Sequence, residues 1–414
     1  MNLQTQPRRD VLSGSPNIIH AFVDNCVEQA VELVRSRLQM DIGFISEFID
    51  DRLFVRQMST KCGWSPAQVS DSIALAEEYF RKIVGGELPE LIPDTAAIPK
   101  AMEILVTQGL PIGSHMGVPI RLRSGQIYGT FCCFNFRANA ALDERDLQMM
   151  KVVADFVAYQ IDVDLERLRD RSDKTKRIQA LIQSSEEPSI VYQPMFQLSD
   201  MTLIGAEALA RFKEEPQRAP DKWFMEADEV GLKTQLEIKA ARSALARYRS
   251  LWKRGPLHYL GINSSPETIT EGRMLEIIEG FPAEKIILEI TEHDYVENYD
   301  DFSYALAPLR RRGVKIAIDD AGAGYSSMCH ILNIRPDFIK LDISLTRNIN
   351  SDRWRRALAR ALIEFGQDTD CKIIAEGVET EGEMGILREL GVHAAQGWLL
   401  GRPVPIEELW RVVI

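Results

Sequence analysis

The stretch KIAIDDAG (315–322) is an apolar, β-branched run that ends on two carboxylates. Short runs of this kind are typical of buried strands. The same pattern recurs in LIGAEALAR (203–211), HYLGINSS (258–265), KIILEITE (285–292), DFIKLD (337–342), KIIAEGVE (372–379) and AAQGWLL (394–400). In a barrel of parallel strands, the C-terminal strand ends meet at one rim, where the functional residues lie. We therefore predict one rim that gathers Glu207, Asn263, Glu289, Asp319, Asp320, Lys340, Glu376 and Gln396.

The first two strand patterns of this half, 190–196 and 203–210, are separated by six residues (197–202). This gap is too short for a crossover helix, so the two strands should pair antiparallel. Helix-length segments, for example 235–252, 304–312 and 355–365, separate the later strands. The second half is therefore predicted to be a modified (β/α)8 TIM-like barrel with one antiparallel strand.

Five carboxylates at one rim repel one another unless cations neutralise them. Ligand sets made only of oxygen atoms suit Mg²⁺ or Mn²⁺. The sequence thus predicts a metal site on the barrel rim. His293 and His330 also fall near this rim, but neither has a second histidine at metal-binding spacing, so we expect them at the surface or outside the ligand set.

The bulk composition, with 45% hydrophobic and 27% charged residues, is that of an ordinary globular protein. A net charge of −12 argues against binding to nucleic acid polymers or to an anionic membrane. It does not exclude a small phosphorylated ligand, because bound metal inverts the local field. No run approaches the roughly 18 apolar residues of a membrane span. The start lacks a secretion signal, and the six cysteines are scattered. We expect a cytoplasmic protein with reduced thiols and no membrane attachment.

The first 160 or so residues follow a different pattern. A helix should start at Ser15-Pro16, followed by strands at 42–49 and 53–58, a helix at 71–84, and strands at 116–122 and 127–136. Residues 123–126 read as a hairpin turn. Cys132 and Cys133 lie on alternate faces of the last strand, so we expect one buried thiol. These elements predict an α+β domain with an antiparallel sheet.

A long helix is predicted from Asp143 to about residue 183, strongly charged through 162–177. It is either a solvated connector or a signalling helix that also dimerises. The heptad pattern is too short to decide between these two interpretations.

Eight motifs occur in order in the second half: YQP (192–194), EALAR (207–211), INSS (262–265), LEITE (288–292), DDAGAGYSS (319–327), KLD (340–342), AEGVE (375–379) and QGWLLGRP (396–403). The tripeptide 207–209 alone is uninformative, but the full set resembles the EAL-domain phosphodiesterases. These enzymes hydrolyse the bacterial second messenger cyclic di-GMP to the linear dinucleotide pGpG. The resemblance implies an EAL domain over 188–414, preceded by a helical linker at 166–187.

The resemblance also implies roles for the rim residues. One metal would be held by Glu207, Asn263, Glu289 and Asp319, and a second by Asp319, Asp320 and Glu376. Lys340 would contact the attacking water or stabilise charge on the phosphate, and Glu376 would help to accept a proton. Glu292 would anchor the loop at 321–327. Substrate contacts would come from Gln193, Arg211 and Gln396.

The chain departs from this family within that loop, where Ala321 and Ala323 replace an aromatic residue and a threonine. Because smaller side chains give the loop less to pack against, we expect a low basal rate. Two other functions stay open: a cyclic di-GMP receptor that binds without hydrolysis and signals to a partner, and a scaffold with a vestigial site. No diguanylate cyclase signature is present.

The first half resembles a GAF domain, a ligand-sensing fold, over about residues 15–165. The residues that carry this resemblance are GELPELIPDT (86–95) and MGVPIRLRSGQIYGTFCCF (116–134). It implies a sensory domain for an unknown small ligand or signal, which would regulate the barrel, and pairing of the long helix predicts a homodimer. Trp64, Tyr79, Phe80 and His115 would line a ligand pocket or form ordinary core.

Overall fold

The computed structural model describes residues 26–49, 52–61, 79–104, 112–253, 258–322 and 326–413. The chain divides into two compact units, Met1–Asp170 and Arg171–Ile414. Among the described residues, no helix combines the length and the apolar character that a membrane crossing needs.

The first unit contains a five-stranded antiparallel sheet in the order β2-β1-β5-β4-β3. As predicted, residues 122–126 form the turn between β4 and β5, with Gly125 at φ 83°. Residues 79–84 are helical, whereas the predicted start of that helix and Ser15-Pro16 lie outside the described part of the chain. The strands are β1 (Ile42–Ile49), β2 (Arg52–Thr60), β3 (Leu91–Ile92), β4 (Ser114–Arg121) and β5 (Ile127–Asn135), and the helices are α1 (Cys26–Arg37), a 3-10 turn (Thr95–Ala97), α2 (Pro99–Met102) and α3 (Glu144–Gln183).

Both faces of this sheet are covered. On one face, Val31 of α1 and Val157 of α3 pack with Cys133, and on the other face Tyr79 and Ile83 pack with Cys132. The prediction of a single buried thiol is therefore wrong, because each face has its own apolar layer and both cysteines are buried.

The long helix α3 has 40 residues, and its predicted length is confirmed. Asp143 starts it by accepting a hydrogen bond from the backbone N–H of Arg145 at 2.8 Å. This is the usual way in which an aspartate satisfies a free N–H group in the first turn.

The second unit is a closed eight-stranded barrel in the order β10-β11-β12-β13-β6-β7-β8-β9. Only β6 runs antiparallel to its neighbours, β7 and β13, as the short gap at 197–202 predicts. The strands are β6 (Ser189–Gln197), β7 (Leu203–Arg211), β8 (Tyr259–Asn263), β9 (Ile286–Thr291), β10 (Lys315–Ala321), β11 (Phe338–Leu341), β12 (Lys372–Ala375) and β13 (Ala394–Ala395).

Helices connect these strands and surround the barrel. Their starting positions refine the prediction: the helix expected at 304–312 begins five residues earlier, because Asn298 caps it through hydrogen bonds from the N–H groups of Asp300 and Asp301. The helices are α4 (Pro220–Glu229), α5 (Lys233–Trp252), α6 (Pro266–Thr270), α7 (Arg273–Ile277), a 3-10 turn (Ala283–Lys285), α8 (Tyr299–Arg311), α9 (Ser326–Ile334), α10 (Ile343–Thr346), α11 (Arg353–Asp368), α12 (Glu381–Glu389) and α13 (Ile406–Val413).

The inside of the barrel is built in layers, because every second residue of a strand points inward. An apolar layer closes the N-terminal end and includes Ile287, Ala317, Phe338, Ile374 and Ala394. In β9 to β13, the inward residue two positions later, within the strand or directly after it, is polar and stands at the C-terminal rim. These polar residues are Glu289, Asp319, Lys340, Glu376 and Gln396.

Candidate functional site

At the centre of the rim lies the ammonium group of Lys340, whose side chain is fully buried. Its Nζ is 2.8 Å from Glu289 Oε2, 2.9 Å from Glu376 Oε1, 3.0 Å from Asp319 Oδ1 and 3.2 Å from Glu207 Oε2. Four strands therefore direct carboxylates at one cation.

Two amide side chains complete the cluster. Gln396 Nε2 donates to Glu207 Oε2 and to Glu376 Oε1, both at 2.7 Å. Asn263 Nδ2 donates to Glu207 Oε1 at 3.2 Å. The amide of Gln396 thus bridges two carboxylates, and its contact with substrate stays a prediction.

The carboxylates form two overlapping groups. Glu207, Glu289 and Asp319 make one group, and Asp319, Asp320 and Glu376 make the other. Within each group the candidate ligand atoms all lie within 4.8 Å of one another. Asp319 belongs to both, so the arrangement could hold two cations that share one carboxylate.

Asp319 and Asp320 are consecutive, and consecutive residues of a regular strand face opposite sides. The end of β10 departs from regular pairing between Ile318 and Ala321, and Asp320 has a φ of 56°. Its N–H donates to Asp319 Oδ1 at 3.0 Å. This left-handed turn brings both aspartates into the site.

The pKa values of the cluster are strongly displaced. Burial raises the pKa of Glu289 and of Glu376 well above the ordinary range, although Lys340 opposes this effect. Burial and the neighbouring Asp319 raise the pKa of Asp320 to about 6. Burial also acts to raise the pKa of Glu207, but Lys340 and the amide hydrogen bonds outweigh it and the pKa is lowered.

The donor set fits a divalent cation. Four carboxylates surround a single buried ammonium, and a fifth, that of Asp320, lies beside them, so acidic groups outnumber the cation. Glu289 Oε1 is buried without a hydrogen-bond partner. A buried carboxylate oxygen with no partner is costly, and a hard cation with oxygen ligands would satisfy it.

Helix α5 supports the turns that carry the site, a role that sequence reasoning missed. Glu237 accepts hydrogen bonds from the N–H of Ser265 at 3.0 Å and from its hydroxyl at 2.9 Å. One turn earlier on the same helix, Lys233 pairs with Asp294 at 3.1 Å. The only sequence signal was the spacing of four residues between Lys233 and Glu237, and many exposed helices share that spacing.

A cavity of about 860 Å³ borders the cluster at Asn263. Arg211, one of the predicted substrate residues, lines it, and its Nη1 donates to the backbone oxygen of Ala210 at 2.8 Å. Apolar side chains such as Phe224 and Met225 form much of the wall. Gln193 donates to the backbone oxygen of Gly401 at 3.5 Å.

Glu292 is buried in the turn that follows β9. Its proposed contact with the loop at 321–327 falls partly on residues 323–325, which, with Ala323, lie outside the described part of the chain. Ala321 is the last residue of β10 and is fully buried. His293 is exposed, 3.9 Å from Glu292, and His330 is buried.

In the first unit, the ring of His115 stacks on Tyr79 with 4.6 Å between centroids. His115 Nδ1 is buried without a hydrogen-bond partner, and burial lowers the pKa of this histidine to about 3. Phe80 packs on Phe48 at 4.7 Å. Trp64 lies outside the described residues. The three described members of the predicted pocket therefore belong to the apolar core.

Family models match both halves of the chain. The EAL domain model matches residues 175–403, and the GAF domain model matches residues 23–161.

Among curated proteins, the chain is 32% identical over 233 residues to the "Probable cyclic di-GMP phosphodiesterase PdeD" of Escherichia coli, which covers 54% of this chain and 43% of that protein. It is 31% identical over 227 residues to the "Cyclic di-GMP phosphodiesterase NbdA" of Pseudomonas aeruginosa. This match covers 53% of this chain and 29% of that protein. The chain thus spans less than half the length of these relatives.

Among solved structures, the "PaMucR Phosphodiesterase, c-di-GMP complex" is 27% identical with a TM-score of 0.50, covering 59% of this chain and 98% of that one. The "EAL Enzyme Bd1971 - cAMP and cyclic-di-GMP bound form" has a TM-score of 0.57 over 91% of this chain and 93% of that one. At 18% identity, this second likeness concerns the fold alone.

Proposed function

Because this chain belongs to the EAL-domain family, we propose that it is a metal-dependent phosphodiesterase that hydrolyses cyclic di-GMP to linear pGpG. The observation that carries this proposal is the pair of carboxylate groups that share Asp319 on the barrel rim. The names of the curated relatives and the PaMucR complex support the choice of substrate.

Two cations, Mg²⁺ or Mn²⁺, would occupy the rim. When bound, such ions neutralise the phosphodiester and activate water near neutral pH. The first would be held by Glu207, Asn263, Glu289 and Asp319, and the second by Asp319, Asp320 and Glu376.

The remaining side chains would bind and orient the substrate. Lys340 provides a fixed positive charge that would stabilise negative charge on the phosphate, and Glu376 would accept a proton. Arg211 offers a planar pair of donors to a phosphate oxygen beside the 860 Å³ cavity. Gln193 and Gln396 would contact phosphate or guanine edges, and Glu292 would hold the loop at 321–327.

We further propose that the N-terminal half regulates this activity. The sensory domain would span 15–165, the helical linker 166–187 and the phosphodiesterase domain 188–414. The last turns of α3 are held within the second unit by Arg177, 2.7 Å from Glu226, and by Lys174, 2.8 Å from Glu229. A helix fixed in this way can pass a small rotation to the strand that follows it.

A homodimer formed through α3 is part of the same proposal. Val152, Phe156 and Tyr159 recur at helical spacing on this helix and are each more than half exposed. A second copy of the helix would cover such a stripe. We also propose a cytoplasmic location, because Cys132, Cys133, Cys329 and Cys371 are free thiols.

The competing function is a cyclic di-GMP receptor that does not hydrolyse its ligand. Turnover of cyclic di-GMP by the full chain, assayed with Mg²⁺ and with Mn²⁺ and with pGpG detected as product, separates the two. We expect pGpG with at least one of these ions and none with chelator. Tight binding of cyclic di-GMP with no pGpG under either ion would favour the receptor.

A further inference from the structure

His330 of α9 is a buried histidine that uses both ring nitrogens. Its Nε2 is 3.1 Å from the backbone oxygen of Asp294, and its Nδ1 is 2.9 Å from the hydroxyl of Tyr299. A carbonyl oxygen only accepts hydrogen bonds, so Nε2 carries the proton. Nδ1 lies within hydrogen-bond distance of the tyrosine hydroxyl, so both ring nitrogens have a partner.

The partners of His330 belong to the turn that follows β9. Asp294 also accepts hydrogen bonds from the N–H of Thr291 at 3.3 Å and from its hydroxyl at 3.1 Å. Thr291 is the last residue of β9, two positions after Glu289. Tyr299 is the first residue of α8. His330 therefore ties α9 to the segment that runs from the end of β9 to the start of α8.

Helix α9 is the next helix after β10, the strand that ends with Asp319 and Asp320. Asp320 already requires a left-handed turn, and α9 packs against β10, so a displacement of α9 would move the strand end that carries Asp319 and Asp320. On the basis of the proposed function, we propose that His330 is a positioning residue for the cation group formed by Asp319, Asp320 and Glu376.

The contrasting role is plain packing, in which the ring only fills volume. An aromatic ring of similar size would then serve equally well. Substitution of His330 by phenylalanine distinguishes the two roles, because it keeps the volume of the ring and removes both hydrogen bonds. Groups that hydrogen-bond directly to metal ligands typically contribute a factor of about 10 to 100 to metal affinity, and His330 acts one contact further away, so we expect the lower end of this range.

The experiment measures Mn²⁺ binding to the full chain by calorimetry, together with kcat and KM for cyclic di-GMP. In His330→Phe we expect one of the two Mn²⁺ sites to weaken about tenfold, kcat to fall, and KM to change less than about twofold. Tyr299→Phe, which removes one hydroxyl, should weaken the same site by about threefold. His330→Gln can still donate to the Asp294 oxygen and should restore most of the affinity. His393→Phe, at the opposite end of the barrel, is the matched control.

Unchanged Mn²⁺ affinity at both sites in His330→Phe and Tyr299→Phe would overturn the proposal and leave packing as the role of His330. If His330→Phe fails to fold, Tyr299→Phe decides the question. If the parent chain binds two Mn²⁺ ions without hydrolysing cyclic di-GMP, the proposed function fails. The Mn²⁺ affinities of the variants still test the role of His330 in that case. A parent chain that binds fewer than two ions would also overturn the proposal.

Discussion

The barrel rim and the Tyr79 side of the first sheet both bury polar groups, but in opposite ways. At the rim, a buried ammonium faces four carboxylates, and these raise the pKa of Lys340 further than burial lowers it. In the first unit, His115 stacks on Tyr79 and has no charged partner among the described residues, and burial lowers its pKa to about 3. One region accumulates charge, and the other keeps its polar group neutral.

This difference indicates which kind of buried polar group marks a functional site. A lone neutral histidine can remain in a core at moderate cost. Four carboxylates around one ammonium, with Asp320 beside them, leave acidic groups that no cation of the described residues pairs with, so this group is able to bind further cations.

Removal of the shared carboxylate should have the largest effect. Asp319 belongs to both carboxylate groups, so Asp319→Ala disrupts both at once. We expect cyclic di-GMP hydrolysis to fall by a factor on the order of 10⁴, since groups that act as a unit are lost together. The measurement is turnover at saturating Mn²⁺. Asp368→Ala, an exposed aspartate at the end of α11, should keep the parent rate, and near-normal turnover by Asp319→Ala would refute the two-cation assignment.

Lys340→Met tests whether the rim depends on compensating charge. Loss of the ammonium leaves buried carboxylates unpaired, which destabilises a protein by about 3 kcal/mol or more. We expect this loss in urea unfolding of the second unit in chelator, with partial recovery in Mn²⁺. Lys372→Met removes an exposed ammonium that lies 5.9 Å from the Phe338 ring and should cost much less. Equal stability of the Lys340 variant with and without Mn²⁺ would show that the carboxylates become protonated instead.

Most residues of the rim could be predicted from the sequence, because one rule gives their positions. Each of β9 to β13 has an apolar inward residue, such as Ile374, followed two positions later by a polar one, such as Glu376, and the barrel brings these ends together. The barrel followed from strand patterns separated by helix-length segments, and its one antiparallel strand followed from the gap at 197–202, which is too short for a helix. The periodicity of apolar residues and the length of the segment between two strands are local properties of the chain, so both can be read from the sequence.

Other features depend on contacts between residues that are far apart in the sequence, and no local sequence pattern predicts them. The position of Lys340 at the centre of the carboxylates, and the turn of Gln396 towards Glu207, follow from the closed barrel rather than from either strand. The burial of both Cys132 and Cys133 required knowing that helices cover one face and residues 79–83 the other. For the same reason Tyr79 and His115 could not be told from ordinary core by their sequence alone.

A smaller effect on turnover is expected when Glu292, which lies next to the rim, is replaced. Glu292→Ala removes a buried carboxylate next to the site but no predicted cation ligand. We expect kcat to fall about 30-fold, within the range for a lost positioning contact, with little change in unfolding free energy. Glu297→Ala, an exposed glutamate in the same turn, is the control. If kcat and Mn²⁺ affinity were unchanged, Glu292 would have no part in arranging the site.

The smallest effect concerns the stability of the first unit in acid. His115 has a folded-state pKa of about 3, below the ordinary 6.5 of an unfolded histidine. Between these values the unfolded chain binds a proton that the folded unit does not, so stability falls as pH drops below 6.5. At pH 5 the loss is about 2 kcal/mol, since each unit of pKa is worth about 1.36 kcal/mol. The measurement is hydrogen exchange of β4 and β5 at pH 7 and pH 5, corrected for intrinsic rates.

His115→Phe should remove most of this pH dependence, because phenylalanine keeps a ring against Tyr79 and has no titrating group. The pKa of His393 is also lowered by burial, but this residue lies in the second unit. His393→Phe should therefore leave exchange in β4 and β5 unchanged at both pH values. If the loss of protection at pH 5 were the same in His115→Phe as in the parent, other groups would cause the acid sensitivity. The energetic contrast between the core of the first unit, where a histidine stays neutral, and the charged rim of the barrel would then not hold.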